Sequence, residues 1–258
     1  MNFRTNVWTP FTTLVIKEFN RFIRIWVQTV LPPGITMALY FAIFGKLIGE
    51  RIGEMDGYAY IDFIVPGLIL MAVITNSYAN VVSSFYQAKF GRFIEEILVS
   101  PVPNWVILAG YVGGGVARGM VVGVLVTIVA MFFTDLQVHN YLVTLLVFFL
   151  TSVLFSLGGF INAVYARNFD DIAIVPTFVL TPLTYLGGIF YSIQLLPDFW
   201  QMASLANPIL YMINAFRYGL IGISDINIAW AFVIILFFIA VLASFSMRLL
   251  NKGIGLRS

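Results

Sequence analysis

The sequence predicts an all-α polytopic membrane protein with six transmembrane helices. Three observations predict it. Of 258 residues, 60% are apolar and 10% charged, and the mean hydropathy is +0.96. The charges gather in a few short segments and leave stretches of about twenty or more mainly apolar residues, the length a helix needs to cross a ~30 Å hydrocarbon core. The alternating segments of about ten residues that mark a transmembrane barrel are missing.

The elements follow in chain order. An amphipathic helix is expected over residues 10–26, because Phe11, Val15, Phe19, Phe22 and Trp26 recur at steps of three and four while Lys17, Arg21 and Arg24 line the opposite stripe. Such a helix lies in the headgroup layer, where it anchors the basic side or braces the bundle beside a partner. The first span, residues 27–48, carries Pro32-Pro33-Gly34 near its start, and a kink is expected there. The second, residues 61–86, places Asn76, Asn80, Ser83 and Gln87 on one helical face. Polar groups at that depth either hydrogen-bond between helices or line a substrate path, which makes Asn76, Asn80 and Ser83 candidate path-lining residues. The third, residues 105–133, holds Gly115, Gly119 and Gly123, a small-residue ladder that lets helix backbones approach closely. Arg118 sits among these glycines and either pairs inside the bundle or faces the path. The fourth covers residues 141–165, the fifth 172–193 and the sixth 228–250. Before the fifth, Asp171 or its neighbour is expected to cap the helix N-terminus, and Pro176 and Pro182 are expected to bend the span.

Two segments exceed what a plain bundle needs. In residues 88–101, Phe90, Phe93, Ile94, Ile97 and Leu98 share one helical face, and Arg92, Glu95 and Glu96 share the other, before Pro101 stops the helix. This helix is too short to span and too apolar for a free loop. It suits either a groove on a soluble partner or a position flat on the membrane. Residues 193–222 read as two short apolar helices broken at Asn207-Pro208, the first opened by Pro197 and carrying Trp200, the second carrying Tyr211 and Arg217. Broken apolar backbone is tolerated in a membrane where it is packed or lines a cavity, so the pair re-enters the outer leaflet as inert packing or as an outer gate.

Charge sets the expected orientation. With the N-terminus inside, inner segments hold Arg4, Lys17, Arg21, Arg24, Lys89, Arg92, Arg167, Arg248, Lys252 and Arg257, and outer segments hold only Lys46, Arg51 and Arg217. This bias predicts both termini in the cytoplasm. The first 26 residues have no compact apolar run followed by a small-residue cleavage site, so no cleavable signal peptide is expected. Cysteine is absent and His139 is the single histidine, which excludes disulfides, thiolate chemistry and a His-rich metal site. No catalytic residue and no metal site can be named. Gly45-Lys46-Leu47 lacks the upstream glycine and following Ser or Thr of a phosphate loop, so ATP hydrolysis by this chain is not expected.

The chain resembles the ABC type-2 permeases, the membrane subunits of ATP-driven exporters. The residues that carry the resemblance are Glu95-Glu96-Ile97-Leu98-Val99-Ser100-Pro101, the run from Pro182 to Ser192 with its Gly187-Gly188 pair, Leu196-Pro197, Asn207-Pro208 and Phe216-Arg217-Tyr218-Gly219. They occur in order along essentially the whole chain, as one domain over residues 1–258. The resemblance implies that two copies pair, that each docks one cytoplasmic ATPase holding ATP and Mg, and that this chain binds no cofactor of its own. It implies that residues 88–101 are the coupling helix and residues 193–222 the outer helices that gate exit. The 25 phenylalanines and the scarcity of charge within the spans favour a small amphipathic or lipid-linked cargo, and no role for nucleic acid is expected. A secondary transporter driven by an ion gradient is the alternative, but it favours carboxylates deep in spans, and the acids here sit at span ends and in loops.

Overall fold

A computed structural model describes residues 7–255. Arg4 and Arg257, counted in the charge bias, lie outside the described residues. The chain forms α1 (Trp8–Arg24), α2 (Trp26–Ile52), a two-strand hairpin (β1, Glu54–Met55; β2, Tyr58–Ala59) and α3 (Tyr60–Phe90). There follow the short α4 (Phe93–Val99), then α5 (Asn104–Ala130), α6 (Tyr141–Tyr165) and α7 (Asp171–Leu186). A 3-10 turn (Ile193–Leu195), α8 (Asp198–Leu205), α9 (Pro208–Ile221) and α10 (Ile228–Lys252) complete the chain.

Five helices, α2, α3, α5, α6 and α10, are long and apolar enough to cross a membrane. The expected fifth span is the exception. At 1.5 Å per residue α7 is about 24 Å long, short of a ~30 Å core. It ends because Gly187 and Gly188 turn the chain, Gly188 with a left-handed φ of 77°. Its bend takes the form of a π-helical stretch, Pro176–Leu180, between two α-helical pieces. In α2 the irregularity falls at Val30, just before the prolines, and a second π stretch over Phe41–Ile48 had no signal in the sequence.

The core is built around α3. Its apolar residues from Phe63 to Ile74 are almost wholly buried against α5, α6 and α9. The glycines of α5 explain how three helices close on one another. A Cβ at Gly115 would press on Val81 and Ser156, one at Gly119 on the Ser77 and Ser152 hydroxyls, and one at Gly123 on Val73 and Phe148. Gly110 and Gly114 serve a second face, where Leu14 and Glu18 of α1 sit in the space a side chain would fill. Gly119→Leu is therefore expected to destabilise the protein by about 1–3 kcal/mol through overpacking, read as a lower unfolding temperature in detergent.

At the far end, Asp56 (φ 52°) and Gly57 (φ 81°) make the two-residue turn of the hairpin, the left-handed pair that matches strand twist. The hairpin holds the later segments down. The Tyr58 hydroxyl donates to the Ile221 carbonyl (2.9 Å) and the Tyr60 hydroxyl to the Phe190 carbonyl (3.1 Å).

Candidate functional site

Four groupings of residues bear on function, two at the α4 end of the bundle, one along its side and one at the hairpin end. The first is α4. Gly91 and Arg92 break the chain after Phe90, with Arg92 in the left-handed region (φ 60°), so the helix spans Phe93–Val99 rather than the whole of residues 88–101. The break splits the expected apolar face. Ile94 is fully buried, and Ile97 and Leu98 pack partly on the core, whereas Phe93 is 62% and Phe90 68% exposed. Glu95 and Glu96 are exposed in the first turn, where the helix dipole favours them. Ser100 is extended, as a residue before proline must be, and Pro101 leads the chain into α5.

The second grouping is a buried polar seam between α1, α3 and α5. The Glu18 carboxylate has no solvent exposure and accepts from Ser84 (2.6 Å) and Arg21 (3.3 Å). Arg21 also donates to the carbonyl and side-chain oxygen of Asn80 (2.9 and 2.8 Å). Arg118 donates to Asn76 (3.0 Å) and to the Thr29 carbonyl (3.3 Å). Three of the candidate path-lining residues, Asn76, Asn80 and Arg118, are thus tied into this seam rather than left open to a path. Composition gave no hint of Glu18, yet its position in line with Leu14 and Phe22 was a usable signal, since a carboxylate on the buried face of a helix needs a partner. Glu18→Ala would strand Arg21 and Ser84. The expected cost is about 3 kcal/mol, measurable by thermal unfolding, and α1 should become sensitive to protease before the bundle does.

The third grouping is a cleft of about 340 Å³ between α3 and α7. Met71, Tyr78, Val82 and Leu180 give it apolar walls, and Thr75, Ser83, Thr181 and Thr184 add hydroxyls. These hydroxyls already donate to carbonyls of their own helices, so the cleft asks little hydrogen bonding of an occupant. Ser83 alone among the four candidate path residues lines it. Asp171, next to the Ile172 end of the cleft, accepts from the Arg167 backbone N–H (2.8 Å), while the cap on the N-terminal turn of α7 comes from Asn168, whose side-chain oxygen accepts from the Asp171 N–H (2.8 Å).

The fourth grouping ties down the interrupted helices α8 and α9. The Asn207 side chain accepts from the Ile209 N–H and donates to the Leu183 carbonyl (2.6 Å), and Pro208 opens α9 where its missing N–H costs nothing. Tyr211 donates to the Leu205 carbonyl (2.8 Å), which fixes the angle between the two helices. Pro197 precedes α8, whose Trp200 is half exposed. At the centre, Arg217 is 1% exposed, donates to the Gly188 carbonyl (2.5 Å), lies 3.8 Å over the Phe63 ring and 4.0 Å from Asp225. Asp225 accepts from Ser192 (2.8 Å), and its N–H donates to Asn214 (2.9 Å). The sequence singled out Arg217 but not Asp225, its ion-pair partner in a loop, nor Asn214 on the buried face of α9, which holds the Asp225 N–H.

A helical membrane bundle with a short, partly exposed helix at one end and an interrupted helix pair at the other is the layout of a permease domain. The chain belongs to the ABC-2 type transporter family, whose profile matches residues 9–221. It is 59% identical to the inner membrane transport permease YadH of Escherichia coli strain K12, over 97% of this chain and 98% of that protein. It is 24% identical to nodulation protein J of Rhizobium meliloti over 71% of each chain.

Proposed function

We propose that this chain is the inner-membrane permease subunit of an ABC exporter, working as a homodimer with two copies of a separate cytoplasmic ATPase. The α4 end faces the cytoplasm. Lys17, Arg24, Lys89, Arg92, Arg167 and Lys252 all belong to elements at that end, which agrees with the positive-inside rule. The observation that supports this most directly is α4 itself. Ile94 anchors it in the core while Phe93 and Phe90 stand in solvent beside Arg92, Glu95 and Glu96. An exposed Phe93 on a short helix joined to the longest span through the Gly91–Arg92 turn is suited to seat in an apolar groove and pass its movement to α3.

The path for cargo is the α3–α7 cleft, completed by a second copy. Ile35, Leu39, Ile43 and Leu47 form an exposed row on α2, and α7 exposes Ile174, Phe178 and Val179, so both helices need lipid or a partner copy. The apolar, sparsely polar cleft favours an amphipathic or lipid-linked compound. α7 serves as the remaining, short span, and α8 and α9 form the outer gate. Glu18 does not favour an ion-gradient mechanism, because Arg21 and Ser84 hold its carboxylate fixed.

Co-purification of a tagged copy with the ATPase encoded beside it tests the assignment. A complex of two permeases and two ATPases is expected. A chain that purifies without any ATPase, and transports in vesicles without ATP, would overturn it.

A further inference from the structure

A concave basic pocket of about 500 Å³ opens at the α4 end, between the last turn of α3 and the chain leaving α6. Its lining includes three cations, Lys89, Arg92 and Arg167, and no acid. Lys89 is committed to structure, since its ammonium donates to the carbonyls of Val164 (2.6 Å) and Ala166 (2.8 Å) at the end of α6. Arg92 and Arg167 are exposed, and among the described residues neither side chain has an ion-pair or hydrogen-bond partner. Unpaired guanidinium groups on two sides of one concavity present a fork geometry matched to phosphate oxygens.

The rest of the wall is apolar and aromatic. Phe90 and Tyr165 are more than half exposed, and beside the lining Phe169 packs at a tilt against Phe90 (5.2 Å between ring centroids) and edge-on against Tyr86 (4.9 Å). The Tyr86 hydroxyl, buried in that wall, has no hydrogen-bond partner among the described residues, which leaves one polar atom of the lining unsatisfied. Because α3 and α6 are membrane-length helices, a pocket at their common end lies at the level of the headgroups. Basic pockets between helices at that level suit anionic headgroups.

From this geometry we infer a binding site for a phosphate-bearing amphiphile, an anionic phospholipid headgroup held by Arg92 and Arg167 with its apolar part against Phe90 and Tyr165. The site lies at the hinge between α3 and α4, so an occupant would stiffen the turn at Gly91 and Arg92. The inference rests on the cytoplasmic orientation argued above, but not on ATPase docking. Its test uses the permease alone, so the two can fail separately.

The purified, detergent-solubilised chain would be titrated with phosphatidylglycerol, cardiolipin, phosphatidylcholine and glycerol 3-phosphate, and bound molecules counted by native mass spectrometry. Retained phosphatidylglycerol or cardiolipin, with little phosphatidylcholine, is expected. The double variant Arg92→Asn/Arg167→Gln should weaken that binding by about tenfold or more, because both charges that face the headgroup are gone. Arg167→Lys, which keeps the charge, should retain most of it and shows that the pocket still folds. Arg24→Gln, which removes an exposed cation outside the pocket, should bind as the parent does. Binding of glycerol 3-phosphate without lipid would keep the phosphate chemistry and assign a soluble source. Undiminished lipid binding by the double variant, equal loss in Arg24→Gln, or no phosphate binding at all would overturn the site.

Discussion

Phe93→Asp is expected to abolish ATP-driven transport and leave the fold intact. Phe93 is 62% exposed, and α4 is held by Ile94, which is fully buried. A carboxylate at position 93 therefore adds no buried charge to the free protein. In an apolar groove of a docked ATPase the same change loses the burial of an aromatic side chain, about 1.5–3 kcal/mol, and adds the desolvation of a charge. Docking should weaken by at least about a hundredfold. The expected result is an unchanged unfolding temperature, loss of the co-purified ATPase in detergent and no transport in vesicles. Ile94→Asp marks the contrast, since it puts the charge into the core and should prevent folding. Normal transport by Phe93→Asp would sink the assignment of α4 as the coupling element.

Arg217→Leu carries the largest expected effect on stability. The guanidinium bridges the Gly188 carbonyl, the Phe63 ring and Asp225, whose side chain is 7% exposed. Removing it leaves Asp225 buried with only Ser192 and the Ile193 N–H as donors. Breaking one side of a buried pair costs about 3–5 kcal/mol. The loss should be local at first, since this side chain ties α9 to the Gly188 carbonyl and to the Asp225 carboxylate. Hydrogen exchange should rise across residues 187–225 before it rises in α3 or α5. Arg217→Lys keeps the charge but not the fork, and should fall between the parent and Arg217→Leu. Exchange that rises uniformly, or not at all, would remove Arg217 from its place as the anchor of α9.

Much of this architecture was legible in the chain. Hydropathy placed the five membrane-length helices within several residues, the glycine ladder of α5 marked where helices close, and Asn207-Pro208 marked the break between α8 and α9. The short helix after α3 was legible too, but not its orientation. Periodicity put Phe90, Phe93 and Ile94 on one face, and a left-handed Arg92 turned Ile94 inward and left the two phenylalanines outside.

The difference between the two kinds of information is physical. Composition and period report the cost of exposing residues to water or lipid, summed over a window, so the sequence by itself determined the class, the placement of the long apolar helices and the basic end of the bundle. Pairing between distant residues depends on which helix faces meet, and no local pattern records that. Only the tertiary structure decided that Glu18 and Arg21 of α1 join Asn80 and Ser84 of α3, that Arg217 reaches Gly188 and Asp225, and that α7 stops short at two glycines.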